Sequence, residues 1–106
     1  MKAIRIHQNG GPDVLRYEDV ELAPPARGEV RVRHTAVGVN FIDTYHRSGL
    51  YKLPLPTGLG SEAAGVVEEL GEGVVTLKKG DRVAYAGAIG AYAEANNVPA
   101  DKLVKL

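Results

Sequence analysis

Glu29-Val30-Arg31-Val32-Arg33-His34-Thr35-Ala36 decides the fold of this 106-residue chain. Val30, Val32, His34 and Ala36 fall on one face, and Arg31, Arg33 and Thr35 on the other. That period of two is the mark of a half-buried strand. The same period recurs outward in short runs. Ala3-Ile4-Arg5-Ile6 opens a strand, and Asn9-Gly10-Gly11-Pro12 supplies a turn, glycine accepting positive φ and proline fixing its own. Leu15, Tyr17, Val20 and Leu22 predict a second strand, ended by Pro24-Pro25. Beyond the central run, Glu62 to Leu70 reads as a strand with Gly65 where something approaches the backbone closely. Arg82 to Ala86 and Ala91 to Val98 follow, separated by glycine-bearing turns at 71–73 and 79–81. Strands at this spacing point to a small barrel or sandwich.

One stretch is helical. Asn40 is an N-cap residue, Phe41 to Ser48 follow, and Gly49 suits the left-handed position after a helix. Asp43 in the first turn favours the free N–H groups there. So short a helix needs packing to hold it.

Composition narrows the functions available. Thirteen basic and thirteen acidic side chains cancel, so no net field draws in nucleic acid or an anionic membrane. Cysteine is absent, which removes disulfides, thiolate zinc sites and thiol nucleophiles. The N-terminus lacks a signal-peptide run, and the longest uncharged apolar stretch, Val83 to Ala93, is too short to span a bilayer. A soluble, cytoplasmic protein is the expectation.

His7, His34 and His46 show no chelating spacing, and His34 reads as a satisfied core histidine. No GxGxxG opens a helix, and neither Ser48 nor Ser61 lies in GxSxG. Glu68 and Glu69 point to opposite strand faces and cannot share a site. What remains is a density of hydroxyls and aromatics: Asn40, Thr44, Tyr45, Tyr51 and Ser61, within about twenty residues. Tyrosines present a broad apolar ring and one polar tip, which suits either a pocket for a flat ligand or a core boundary.

These residues carry a resemblance. Gly38-Val39-Asn40-Phe41-Ile42-Asp43, then Tyr45 and Arg47-Ser48-Gly49-Leu50-Tyr51, resemble the quinone oxidoreductases of the medium-chain dehydrogenase/reductase superfamily. So do Gly10-Gly11-Pro12-Asp13-Val14-Leu15, Gly58-Leu59-Gly60-Ser61-Glu62-Ala63-Ala64-Gly65, Gly71-Glu72-Gly73-Val74 and Gly80-Asp81-Arg82-Val83, all in the family's order. The resemblance implies a mainly β fold, a GroES-like, partly open barrel with one or two short helices. It implies that residues 1–106 are the catalytic, substrate-binding domain. A Rossmann nucleotide-binding domain would follow Leu106, and the complete protein would be a homodimer.

The zinc alcohol dehydrogenases carry a cysteine where Asn40 stands and a histidine where Ser61 stands. The resemblance therefore implies zinc-free hydride transfer from NADPH to a quinone. Tyr45, Tyr51, Asn40 and Ser61 would form the substrate pocket, and Asn40, Phe41, Ile42, Asp43, Thr44 and Tyr45 would meet the cofactor. Glu62 would be structural. Two alternatives are a reductase of enoyl or other α,β-unsaturated carbonyl compounds and a non-enzymatic GroES-like binding module. Cut at Leu106, the domain is further expected to expose apolar surface around Val83 to Ala93 and an open sheet edge.

Overall fold

A computed structural model of the protein describes residues 1–106 throughout. In chain order the elements are β1 (Lys2–Ile6), β2 (Arg16–Asp19), β3 (Glu29–Val37), α1 (Phe41–Ser48), β4 (Thr57–Gly58), β5 (Glu62–Leu70), β6 (Arg82–Ala86), β7 (Ala95–Pro99) and β8 (Leu103–Lys105). Single 3-10 turns cover Pro12–Val14 and Ala100–Lys102. The strands form two antiparallel sheets, ordered β2-β1-β4 and β7-β3-β5-β6-β8. They do not close into a full barrel, and the mainly β, partly open architecture is the one anticipated.

β3 lies inside the larger sheet, paired on one edge with β7 and on the other with β5, and one of its faces is apolar. Val30 and Val32 are fully buried, and Val67 of β5, Val83 of β6 and Val98 of β7 join them in one core cluster. Each such valine contributes about 2 kcal/mol of burial. β-branched side chains also lose little further freedom on a pleated surface. Gly65 on β5 lies against β3 so closely that a Cβ there would stand 2.8 Å from the Arg33 carbonyl carbon. That is the close approach its presence in a strand announces.

Four readings need correction. The pairing of β3 with β5 shifts register between His34 and Ala36, so Ala36 leaves the core face and is exposed. The strand expected from Leu15 to Leu22 shrinks to β2, and Tyr17 is exposed. As an edge strand, β2 has only β1 to pair with, and the Lys2 ammonium lies 5.4 Å over the Tyr17 ring. The run from Ala91 joins the regular ladder only at Ala95, because residues 92–94 serve both sheets. Tyr92 O accepts from Ile4 N, Glu94 N donates to Lys2 O, and His34 N donates to Glu94 O.

The fourth concerns exposed apolar surface. Val83, Tyr85 and Ala91 are buried in the core, whereas Ala86 and Gly87 of the same run are exposed. Large exposed apolar side chains stand on α1 and its flanks, at Val39, Phe41, Leu50 and Tyr51, and separately at Val75 and Val104. A shallow depression of about 570 Å³ does open on the larger sheet, lined by Ala36, Ala64, Ala84, Ala86 and Val104. β7 and β8 are its open edges.

Candidate functional site

α1 follows directly from the end of β3, and its position is set at both termini. At the N-terminus, Asn40 has extended backbone, and its N–H donates to Asp43 Oδ2 at 3.0 Å. Asp43 N–H in turn donates to Asn40 O at 3.0 Å. The carboxylate thus sits at the positive end of the helix, where it is favoured. At the C-terminus, Gly49 adopts φ 90°, and its N–H donates to Tyr45 O. Asn9 Nδ2 lies 3.3 Å from the carbonyls of both His46 and Arg47. Gly10 N–H donates to Arg47 O, and Arg47 Nε donates back to Gly10 O at 3.2 Å. The loop after β1 therefore clasps carbonyls that a helix end leaves unpaired.

The helix has a polar buried face and an apolar exposed one. Asp43 is 4% exposed and His46 9%. Asp43 Oδ2 accepts a second hydrogen bond, from the Tyr92 hydroxyl at 2.5 Å. Burial first, then Asp43 as acceptor and as negative charge, push the Tyr92 phenol well above its usual pKa. It is therefore a donor across the physiological range. Three shielded atoms have no hydrogen-bond partner: Asn40 Nδ2, Asp43 Oδ1 and His46 Nδ1. On the outer face Phe41 is 83% exposed, and Ile42 and Tyr45 are open to solvent. The Thr44 hydroxyl is occupied by its own helix, donating to Phe41 O at 2.6 Å.

Tyr45 and Tyr51 meet edge to face, with ring centroids 5.5 Å apart at 77°. Tyr51 N–H donates to Tyr45 O, so the chain folds back after Gly49 to bring the two phenols together. Ser61 arrives from the other side. The pairing of Val37 with Ala63 places the end of β3 beside the start of β5. Gly38 N–H donates to Glu62 O, and the Glu62 side chain lies across Gly38, where no Cβ would fit. The loop of Asn40 and the loop of Ser61 are thereby neighbours. Asp43 turns inward, away from the open face that carries Phe41, Ile42 and Tyr45.

Sequence reading missed two residues that build this region. Tyr92 lies inside an apolar run, and the one signal for it is that a hydroxyl in an uncharged stretch needs a partner. Asn9 lies in the turn after β1, and its side chain acts on a helix nearly forty residues on. His34 is half-buried and satisfied, as expected of a core histidine, between Ala93 O and the Tyr85 hydroxyl.

No three His, Asp or Glu side chains gather at one point, and the amide of Asn40 and hydroxyl of Ser61 do not make a zinc donor set. No helix is long and apolar enough to cross a membrane.

The alcohol dehydrogenase GroES-like domain family matches residues 26–106. A quinone oxidoreductase of Pseudomonas aeruginosa is 56% identical over 99% of the chain and 33% of its own length. A 2-haloacrylate reductase of a Burkholderia species is 47% identical over 95% of the chain and 32% of its own. The crystal structure of Escherichia coli quinone oxidoreductase complexed with NADPH superposes with a TM-score of 0.97 at 51% identity, covering all of this chain and 33% of that one. The chain thus spans about a third of the length of the curated relatives it matches. Matched over most of its length in sequence and over all of it in structure, the chain belongs to the alcohol dehydrogenase GroES-like domain family.

Proposed function

We propose that residues 1–106 are the catalytic domain of a zinc-independent, NADPH-dependent quinone reductase. One observation carries this reading: α1 is anchored at both ends yet turns an apolar, aromatic face outward, with the shielded amide of Asn40 at its start. A rigidly held apolar face beside one unpaired amide donor fits a flat ring that bears a carbonyl, and a nicotinamide is such a ring. Asn40 would orient it, and Phe41, Ile42 and Tyr45 would lie against it. Asp43 and Thr44, both bonded within the helix, contribute by fixing its first turn. When bound, NADPH supplies the hydride.

The protein's own residues then have three tasks. The apolar helix face excludes water. The phenols of Tyr45 and Tyr51 donate hydrogen bonds to the acceptor's carbonyl oxygen as negative charge develops there, in place of a metal. Ser61, just before β5, would add a hydroxyl to the polar edge of the substrate pocket. Quinones suit a site without a Lewis acid because reduction makes them aromatic. A nucleotide-binding Rossmann unit following Leu106, a homodimeric assembly and a cytoplasmic location complete the reading. It is supported by relatives three times as long that bear the name quinone oxidoreductase.

A second reading is favoured by the 2-haloacrylate reductase relative: an alkene conjugated to a carboxyl group accepts hydride in the same way. The complete protein, assayed by loss of NADPH absorbance, is expected to show a higher kcat/KM for quinones than for enals and acrylates. Asn40→Ala should lower it about tenfold. The opposite preference would select the second reading, and no turnover of either class would overturn both.

A further inference from the structure

We propose that Tyr92 is a positioning residue for this site, acting through Asp43 on Asn40 and, through its backbone and ring, on the Ser61 loop. The proposal rests on the reading that Asn40 works at the cofactor. Its basis is a convergence that neither loop shows alone.

The Tyr92 hydroxyl and the Asn40 N–H donate to the same oxygen, Asp43 Oδ2, at 2.5 and 3.0 Å. The carboxylate is almost wholly shielded, and its other oxygen has no partner. Removing the phenol would leave a buried charge with a single donor, which shifts to recover solvent or another partner. The atom free to respond is the one to which Asn40 is tied.

The rest of Tyr92 holds the opposite side of the site. Its N–H donates to Leu59 O at 2.9 Å, and the neighbouring Gly90 and Ala91 N–H groups both donate to Gly60 O. Its ring covers Gly60, where a Cβ would lie 2.9 Å from Cε1 and where φ is +88°. Ser61 follows directly. Tyr92 O also accepts from Ile4 N at 2.8 Å, which fixes the residue to β1. A single tyrosine thus links the start of α1, the Ser61 loop and the smaller sheet. Its ring also packs against the buried cluster of Ile6, Val14 and Leu59.

The experiment has two arms. In the complete enzyme, Tyr92→Phe should lower kcat about tenfold with little change in KM. Combined with Asn40→Ala, it should cause no further loss, because a residue acting through Asn40 has nothing left to position. Losses that multiply would overturn the proposal.

In the 106-residue chain, hydrogen exchange at the Asn40 amide should quicken about tenfold in Tyr92→Phe, while the Val67 amide, bonded to Asp81 O, stays unchanged. Equal exchange at Asn40 would overturn the coupling whatever the activity shows. If the unmodified enzyme reduces no quinone, the functional reading fails and the exchange arm still decides the link. Should the phenylalanine variant not fold, Asp43→Asn, which keeps the shape and removes the charge, is read in the same two ways.

Discussion

His34 Nε2 lies 2.8 Å from the Tyr85 hydroxyl, a polar link within the larger sheet. The surrounding bonds settle its protons. Asn96 Nδ2 donates to the Tyr85 oxygen at 3.3 Å, and His34 Nδ1 lies 2.7 Å from the Ala93 carbonyl, which can only accept. Nδ1 therefore carries the hydrogen, and Nε2 accepts from Tyr85. A second proton on the ring would face a hydroxyl that has no other acceptor.

Burial is the larger influence on His34 and lowers its pKa from the ordinary 6.5, with the Ala93 bond opposing. The unfolded chain consequently takes up the proton first as pH falls. His34's contribution to stability is complete above the ordinary value and is lost as pH drops toward and through the lower folded value. Melting temperature measured from about pH 8 to pH 5 should decline. His34→Gln, which does not titrate, should flatten the part of that decline nearest the ordinary value. Parallel curves for the two proteins would refute the assignment.

Gly65→Ala should be severely destabilising, by about 3 kcal/mol, because its Cβ would meet the Arg33 backbone and neither strand can move without breaking the β3–β5 ladder. Gly11→Ala is the contrast: its φ is −79°, and the nearest atom to a Cβ is an Asp13 carboxylate oxygen 3.4 Å away. That change should stay within about 0.5 kcal/mol. Urea unfolding of both variants separates close packing from a general intolerance of glycine loss.

Asn9→Ala should cost about 1 kcal/mol by uncapping the His46 and Arg47 carbonyls. The denaturation midpoint should fall with an unchanged slope, since the exposed area on unfolding is the same. Faster amide exchange should be confined to α1 and the segment after it.

Loss of both phenols, in Tyr45→Phe with Tyr51→Phe, should lower quinone kcat in the complete enzyme about a hundredfold. The edge-to-face contact at 5.5 Å survives in the phenylalanine pair, so the melting temperature should hardly move. Unchanged turnover would remove the donor role.

Phe41 and Leu50 are 83% and 67% exposed. Replacing both with serine should reduce self-association of the 106-residue chain at high concentration, as read by sedimentation velocity. Association equal to that of the unaltered chain would place the sticky surface elsewhere, the depression beside Val104 being the next candidate.

What the sequence alone determined was local. The alternation of Val30 and Val32 with arginines specified β3 because side-chain direction in a strand depends only on residue parity. Asn40 and Gly49 bracketed α1 because caps answer the unpaired groups of the adjacent turn. Gly65 announced a close approach, and the resemblance that sets Asn40 and Ser61 at zinc-ligand positions argued, through their donor chemistry, against a zinc site. Tertiary structure decided whatever depends on residues far apart in the chain. The bulge that exposes Ala36 follows from pairing with β5, and β4 and β8 are too short to carry a period. Val83, Tyr85 and Ala91 are covered while the outer face of α1 stays open, because burial depends on which strands pack together. The Asn9 clasp and the Tyr92–Asp43 bond span 37 and 49 residues. No local rule forecasts which buried donor reaches which acceptor, because that is set by how the loop after β1 and the segment before β7 meet α1.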